Sequence, residues 1–86
     1  MYNVQLLDEA INELSQLDKP IAKRITKKIK WLSENIENIQ PEGLTGDLTG
    51  LYKLRVGNYR VIYEILEGEQ LIIIHAIGHR SKIYER

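Results

Sequence analysis

From Tyr52 to Ile65 the chain alternates with a period of two, and the alternation breaks once, at Gly57-Asn58. Tyr52, Leu54 and Val56 share one parity, with Lys53 and Arg55 on the other. Beyond the break, Tyr59, Val61, Tyr63 and Ile65 stand against Arg60, Ile62 and Glu64. Two half-buried strands joined by a two-residue primed turn with glycine first give this pattern. Such a turn sets Val56 opposite Tyr59 and Arg55 opposite Arg60. Like charges facing each other across a hairpin destabilise it by some tenths of a kcal/mol. Folding alone would not select that pair, so the arrangement asks for an anion.

The other segments fit around this hairpin. Residues 2–6 read as a short strand, and Asp8 as the N-cap of a helix ending near Gln16, with Ala10, Leu14 and Leu17 on its apolar face. Asp18 and Pro20 open a second helix, where proline is tolerated in the first turn. Its stripe of Ile21, Ile25, Ile29, Leu32 and Ile36 recurs at spacings of three and four, with Trp31 alongside. With Asp18-Lys19 as their only link, the two helices form an antiparallel hairpin. Residues 37–50, with Pro41 and three glycines, read as a loop tethered by Leu44 and Leu48. After Glu67-Gly68-Glu69, the run LIIIHAI is apolar on both parities and belongs inside a sheet. The order is β-α-α-β-β-β, an α+β fold with a helical hairpin on one face of a small, mostly antiparallel sheet. Lys53, Arg55 and Arg60 are expected on the other face.

Eighty-six residues make one domain, 1–86, with a single modest core. No cysteine is present, which rules out disulfides and thiolate-bound metals. His75 and His79 lack the clustered carboxylates that would complete a metal site, so neither a metal nor a cofactor is expected. The start, MYNVQLLDEA, is neither a signal sequence nor a membrane span, which makes a reduced, cytoplasmic, soluble domain the expectation. The formal charge is zero, with 12 basic and 12 acidic residues, but the distribution is uneven. Lys19, Lys23, Arg24, Lys27, Lys28 and Lys30 form an acid-free run, residues 51–63 hold three bases and no acid, and the end adds Arg80, Lys82 and Arg86 against Glu85. The helical run reads first as the solvated side of an amphipathic helix, the alternative being a surface that attracts a polyanion without regard to sequence.

Individual residues carry competing readings. Tyr52, Tyr59 and Tyr63 share the apolar parity and read as core. Tyr84 lies among charges, where packing and function are both open to it. His75 alternates with Ile73 and Ile77 as an interior or sheet-face histidine, while His79, after Gly78, is the more accessible. Lys53, Arg55 and Arg60 have no matching acid apart from Glu64, and the strand end GHR brings Arg80 to the same region. Guanidinium forks suit phosphate. A GxxxxGK[ST] loop is absent, as is any Ser-His-Asp or Cys-His set, so nucleotide hydrolysis and nucleophilic side-chain catalysis are not indicated. Cleaving a phosphodiester here would take the 2′-OH of RNA as nucleophile, with the cations stabilising charge on the phosphate. Lys53, crowded by two arginines, would have a lowered pKa and could move a proton.

LTGDLTGLYKLRVGNYRVIYEI followed by IIIHAIGHRSKIYER resembles the RelE/ParE superfamily of toxins from type II toxin–antitoxin modules, and the RelE branch most. The likeness spans nearly the whole chain. It implies a ribosome-dependent endoribonuclease that enters the A site and cuts mRNA by 2′-OH attack, inhibiting translation. On that resemblance Lys53 and Arg55 match the basic pair of the second strand, Arg60 the arginine that stabilises the transition-state phosphate, and Arg80 the arginine facing the leaving group. Tyr84 matches the C-terminal tyrosine that stacks on a base. Lys23, Lys27, Lys30, His79 and Lys82 are the candidates for contact with RNA or the ribosome. The partners implied are mRNA, the ribosome and a cognate antitoxin. The alternative on the same fold is a ParE-like inhibitor of DNA gyrase without nuclease activity.

Overall fold

The structure is a computed structural model and describes residues 1–84; Glu85 and Arg86, the last charges of the basic C-terminal stretch, lie outside the described residues. Strand β1 (Asn3–Leu6) is followed by helices α1 (Asp8–Ser15) and α2 (Lys19–Asn35), then strands β2 (Glu42–Gly43), β3 (Tyr52–Val56), β4 (Tyr59–Leu66) and β5 (Leu71–His79). The five strands lie in the order β1-β5-β4-β3-β2, antiparallel except for β1 beside β5. The α+β order expected from the sequence therefore holds, with one strand more than the periodicity showed. Glu42-Gly43, next to Pro41, has no strand propensity, yet it pairs with Tyr52 and Lys53.

Helix α1 begins one residue differently from the expectation. Leu7 is its N-cap and Asp8 its first residue, because the Leu7 amide still donates to the Ile74 carbonyl at 3.0 Å as an extension of the strand pairing. Asp8 and Glu9 then stand in the first turn, where the helix dipole favours acids. Asp18 is the N-cap of α2, and Pro20 falls in its first turn. Ile25, Ile29 and Leu32 of α2, and Ile36 just past its end, pack with Ala10 of α1 onto Leu54, Val56, Val61, Tyr63, Ile72, Ile74 and Ile77. Tyr63 is fully buried there, and Tyr52 and Tyr59 lie at the core edge, as their parity required.

The hairpin register is the one the alternation demands. Val56 faces Tyr59 and Arg55 faces Arg60. Gly57 has φ +59° while Asn58 does not have a positive φ, which is the primed turn with glycine first. Between β4 and β5 the register slips. Ile62 faces Ala76 but Tyr63 faces Ile74, so His75 is an extra residue in a β-bulge. Ile77 returns to the helix-side core while Ala76 joins Ile62 and Ile83 on the opposite face, with Leu44 and Leu51 packed against them. The opposite face is thus not the open polar surface expected. The tail after β5 folds back over it, and Ile83 (3 % exposed) seats against Gly78, where an added Cβ would lie 3.1 Å from Ile83 Cδ1.

Past Ile74, β1 no longer covers β5. The amide of Ile77 there finds the Glu13 carboxylate of α1, which accepts its hydrogen at 2.8 Å. A buried main-chain donor requires such a partner. No helix among the described residues is long and apolar enough to cross a membrane.

Candidate active site

The cations expected to converge share the sheet face away from the helices, but each is held differently. Arg55 donates through Nε and Nη2 to the two oxygens of Glu42, at 3.0 and 2.9 Å, a two-pronged fork. Lys53 Nζ lies 3.2 Å from the same carboxylate. Glu42 sits opposite Lys53 because of the unforeseen strand β2. The acid for this cluster is therefore Glu42 and not Glu64, and the premise that Lys53 is crowded only by arginines does not hold. The Arg55 hydrogen bonds, with help from Lys53, hold the exposed Glu42 carboxyl down at about 2. Glu42 in turn raises the Arg55 guanidinium above its usual value. A carboxylate so weakly basic is a poor proton acceptor at neutral pH, and it fills the place an anionic ligand would take.

Arg60 turns the other way. Its Nη1 donates to the carbonyls of Gly57 and Tyr59, at 3.0 and 2.8 Å, and the residue is 9 % exposed. Among the described residues no carboxylate pairs with it. The opposition of Arg55 and Arg60 is relieved by divergence, one side chain going to a carboxylate and the other to turn carbonyls. The carbonyl between those two, from Asn58, accepts the Arg80 amide at 2.8 Å. One turn thus fixes the Arg60 guanidinium and the backbone from which the exposed Arg80 side chain projects. Tyr84, 46 % exposed, has its ring centroid 6.0 Å from Lys53 Nζ. Lys53, Arg55 and Tyr84 thus gather around Glu42, while Arg60 and Arg80 gather at the hairpin turn.

His79 and the lysines lie elsewhere. His79 sits on the helix-side parity, its ring 5.4 Å from that of Tyr59 at 80°. Its Nδ1 accepts from the Ser81 amide at 3.1 Å, so in the neutral ring the proton is on Nε2. Lys82 is exposed in the tail. Lys23 borders a groove beside Leu14 of α1, and Lys30 borders one beside Tyr2 and β1, so the helical lysines point to separate facets.

Two further features escaped the sequence. Glu64, expected as the acid near the cations, instead meets His75 at 2.9 Å, a consequence of the bulge. This leaves one carboxylate at the histidine, and no group of three or more His, Asp or Glu able to hold a metal occurs among the described residues. Ile83 was the other, and its only signal was an isolated apolar residue between Lys82 and Tyr84. It closes a pocket of about 230 Å³ that His75 and Tyr84 also line.

Residues 4–84 match the family described as the ParE toxin of type II toxin–antitoxin systems, parDE. The chain is 31 % identical over 83 residues to the toxin RelE of Mycobacterium tuberculosis, covering 96 % of this chain and 86 % of that protein. A putative RelE-like toxin protein of Escherichia coli is 28 % identical over 86 residues, covering 94 % and 85 %. Among solved structures, a chain of the toxin–antitoxin complex RelBE2 from M. tuberculosis superimposes with a TM-score of 0.83 at 25 % identity, covering 93 % of this chain and 92 % of that one. With its two helices on a mostly antiparallel five-stranded sheet, this chain belongs to the RelE/ParE superfamily of type II toxin–antitoxin toxins.

Proposed function

We propose that this toxin is a ribosome-dependent endoribonuclease that cleaves mRNA in the A site by attack of a 2′-OH on the adjacent phosphate. The observation that carries the reading is Arg60, a residue 9 % exposed whose guanidinium is bound only to neutral carbonyls among the described residues. A buried charge without a counter-ion costs several kcal/mol. Held rigidly in a water-poor corner, it is suited to stabilise negative charge that develops there in a transition state. The roles are those the resemblance to RelE toxins implies. Lys53 and Arg55 bind the phosphate after it displaces Glu42, Arg60 stabilises the pentavalent phosphorus, and Arg80 neutralises the leaving oxygen. Tyr84 stacks on a base. RNA supplies the nucleophile, so the chemistry needs no metal and spares DNA.

A cognate antitoxin is part of this reading, because the relatives of known structure include toxin–antitoxin complexes. An acidic segment of such a partner would meet the same cations.

The test is cleavage of a labelled mRNA on programmed ribosomes, with the ends mapped by primer extension. Cuts at the A-site codon that require ribosomes and disappear in Arg60→Ala and in the exposed-site variant Arg80→Ala support the reading. Intact mRNA with folded wild-type protein overturns it. Accumulated gyrase–DNA cleavage complexes would then assign the toxin to the ParE-like mode.

A further inference from the structure

Helix α2 presents a second stripe that the apolar pattern hides. Arg24, Lys27, Lys28 and Trp31 recur at i, i+3, i+4 and i+7 and face the hairpin across a groove of about 480 Å³, closed on its far side by Arg55, Val56 and Gly57. Its lining holds Arg24, Lys27 and Lys28 with no acid among them, and Arg55, whose guanidinium is bound to Glu42. Trp31 is 38 % exposed, and the Lys28 ammonium lies 3.8 Å from its ring centroid. The Arg24 guanidinium lies against the turn, with Nη1 3.0 Å from where a Cβ on Gly57 would be. Because β2 pairs only with Tyr52 and Lys53, the outer edge of β3 beside Arg55 carries no strand.

From this arrangement we infer that the α2–hairpin groove binds single-stranded RNA, its phosphates paired with Arg24 and Lys27 and one base stacked on Trp31. Two observations independent of each other select this ligand. Three helical cations, Arg24, Lys27 and Lys28, with no carboxylate partner among the described residues call for a polyanion, and an exposed indole beside them calls for a planar ring at a spacing set by the polyanion itself. A base arriving on the indole lets Lys28 exchange its ring contact for a phosphate. Arg55 belongs to both the groove and the candidate active site, so the groove continues that site around the sheet edge and takes nucleotides flanking the scissile one. The inference rests on the proposed RNA chemistry for which strand is bound, but its test does not require cleavage.

Trp31 is the single tryptophan of the chain, so its fluorescence reports this groove alone. The titrant is a 2′-O-methyl oligoribonucleotide of eight residues, which lacks the attacking hydroxyl and cannot be cut by 2′-OH chemistry. Saturable quenching is expected, with affinity falling as salt rises. Arg24→Ala and Lys27→Ala should each lower the slope of log K against log salt by about 0.7. Trp31→Ala, followed by anisotropy of a labelled oligonucleotide, should weaken binding about 5- to 150-fold. Lys19→Ala removes a charge from the same helix outside the groove and should change nothing. Equal losses in Lys19→Ala and Lys27→Ala would reduce the effect to unspecific attraction and overturn the site. So would an abasic strand that quenches as strongly, or quenching by polyglutamate with none by the oligonucleotide. Inactive ribosome assays with intact groove binding would sink the nuclease reading alone, whereas cleavage without quenching would sink the groove alone.

Discussion

Replacing Ile83 by alanine tests whether the tail is a latch over the cationic face or an integral part of the core. Ile83 is 3 % exposed, and its side chain packs on Ile62 and Ala76 and against Gly78. The substitution removes three buried carbons. At about 0.8 kcal/mol each, the transfer term is about 2.4 kcal/mol. This is an upper figure, because an undocked tail still brushes the sheet. The second core is small and the tail follows the last strand, so the loss should fall on tail docking alone. A change of about 2 kcal/mol lowers the docked-to-undocked ratio about 30-fold. Hydrogen exchange reads this directly. The amides of Lys82 and Ile83, both donating to the His79 carbonyl at 2.9 and 3.0 Å, should exchange about 30-fold faster. Amides of β4 and β5 should keep their protection, and the melting temperature should hardly move. Because Tyr84 and Arg80 ride on the same segment, cleavage should fall with docking. A full loss of about 2 kcal/mol in global unfolding, with tail and sheet amides moving together, would refute the latch.

Other perturbations bear on separate parts of the structure. Glu42 is held below its unfolded pKa, so its contribution to stability is present above about pH 4.5 and is lost as pH falls through about 2; carbon-detected titration should place its midpoint near 2, and Glu42→Gln should remove that acid-side contribution from melting curves. Tyr63, pushed up to about 12 chiefly by burial, favours folding below pH 10 and loses that contribution as pH rises through 12; tyrosinate absorbance should show a late-ionising ring that Tyr63→Phe abolishes. Glu13→Ala leaves the Ile77 amide without its carboxylate and should cost about 1–3 kcal/mol in urea unfolding. Gly57→Ala meets both a φ of +59° and the Arg24 guanidinium, and should lower stability while disturbing Trp31 fluorescence.

The features legible in the sequence are those with a local cause. The hairpin register follows from one glycine in a period-two pattern, and α2 from isoleucines at helical spacing, so Arg55 opposite Arg60 could be read directly. What was not legible depends on distant partners. Glu42-Gly43 becomes a strand only because β3 offers an edge, so the acid that neutralises Arg55 and Lys53 was hidden. His75 was placed by strict alternation and the bulge shifted it to Glu64. Arg60 was expected to converge with Lys53 and Arg55 on the outer face of the sheet, and nothing in its neighbours revealed that it turns back to its own turn and is buried.

The parallel pairing of the first strand with the last also orders events in time. Asn3–Leu6 hydrogen-bonds to Leu71–Ile74, so the sheet closes only across nearly the full length of the chain. Contacts so distant in sequence slow folding, because the loop must close before the contact forms. During synthesis β1 has no strand partner until Leu71–Ile74 has been made, and Arg80 and Tyr84 follow it. The cationic face, to which Arg80 and Tyr84 contribute, therefore forms only after the strand that closes the sheet.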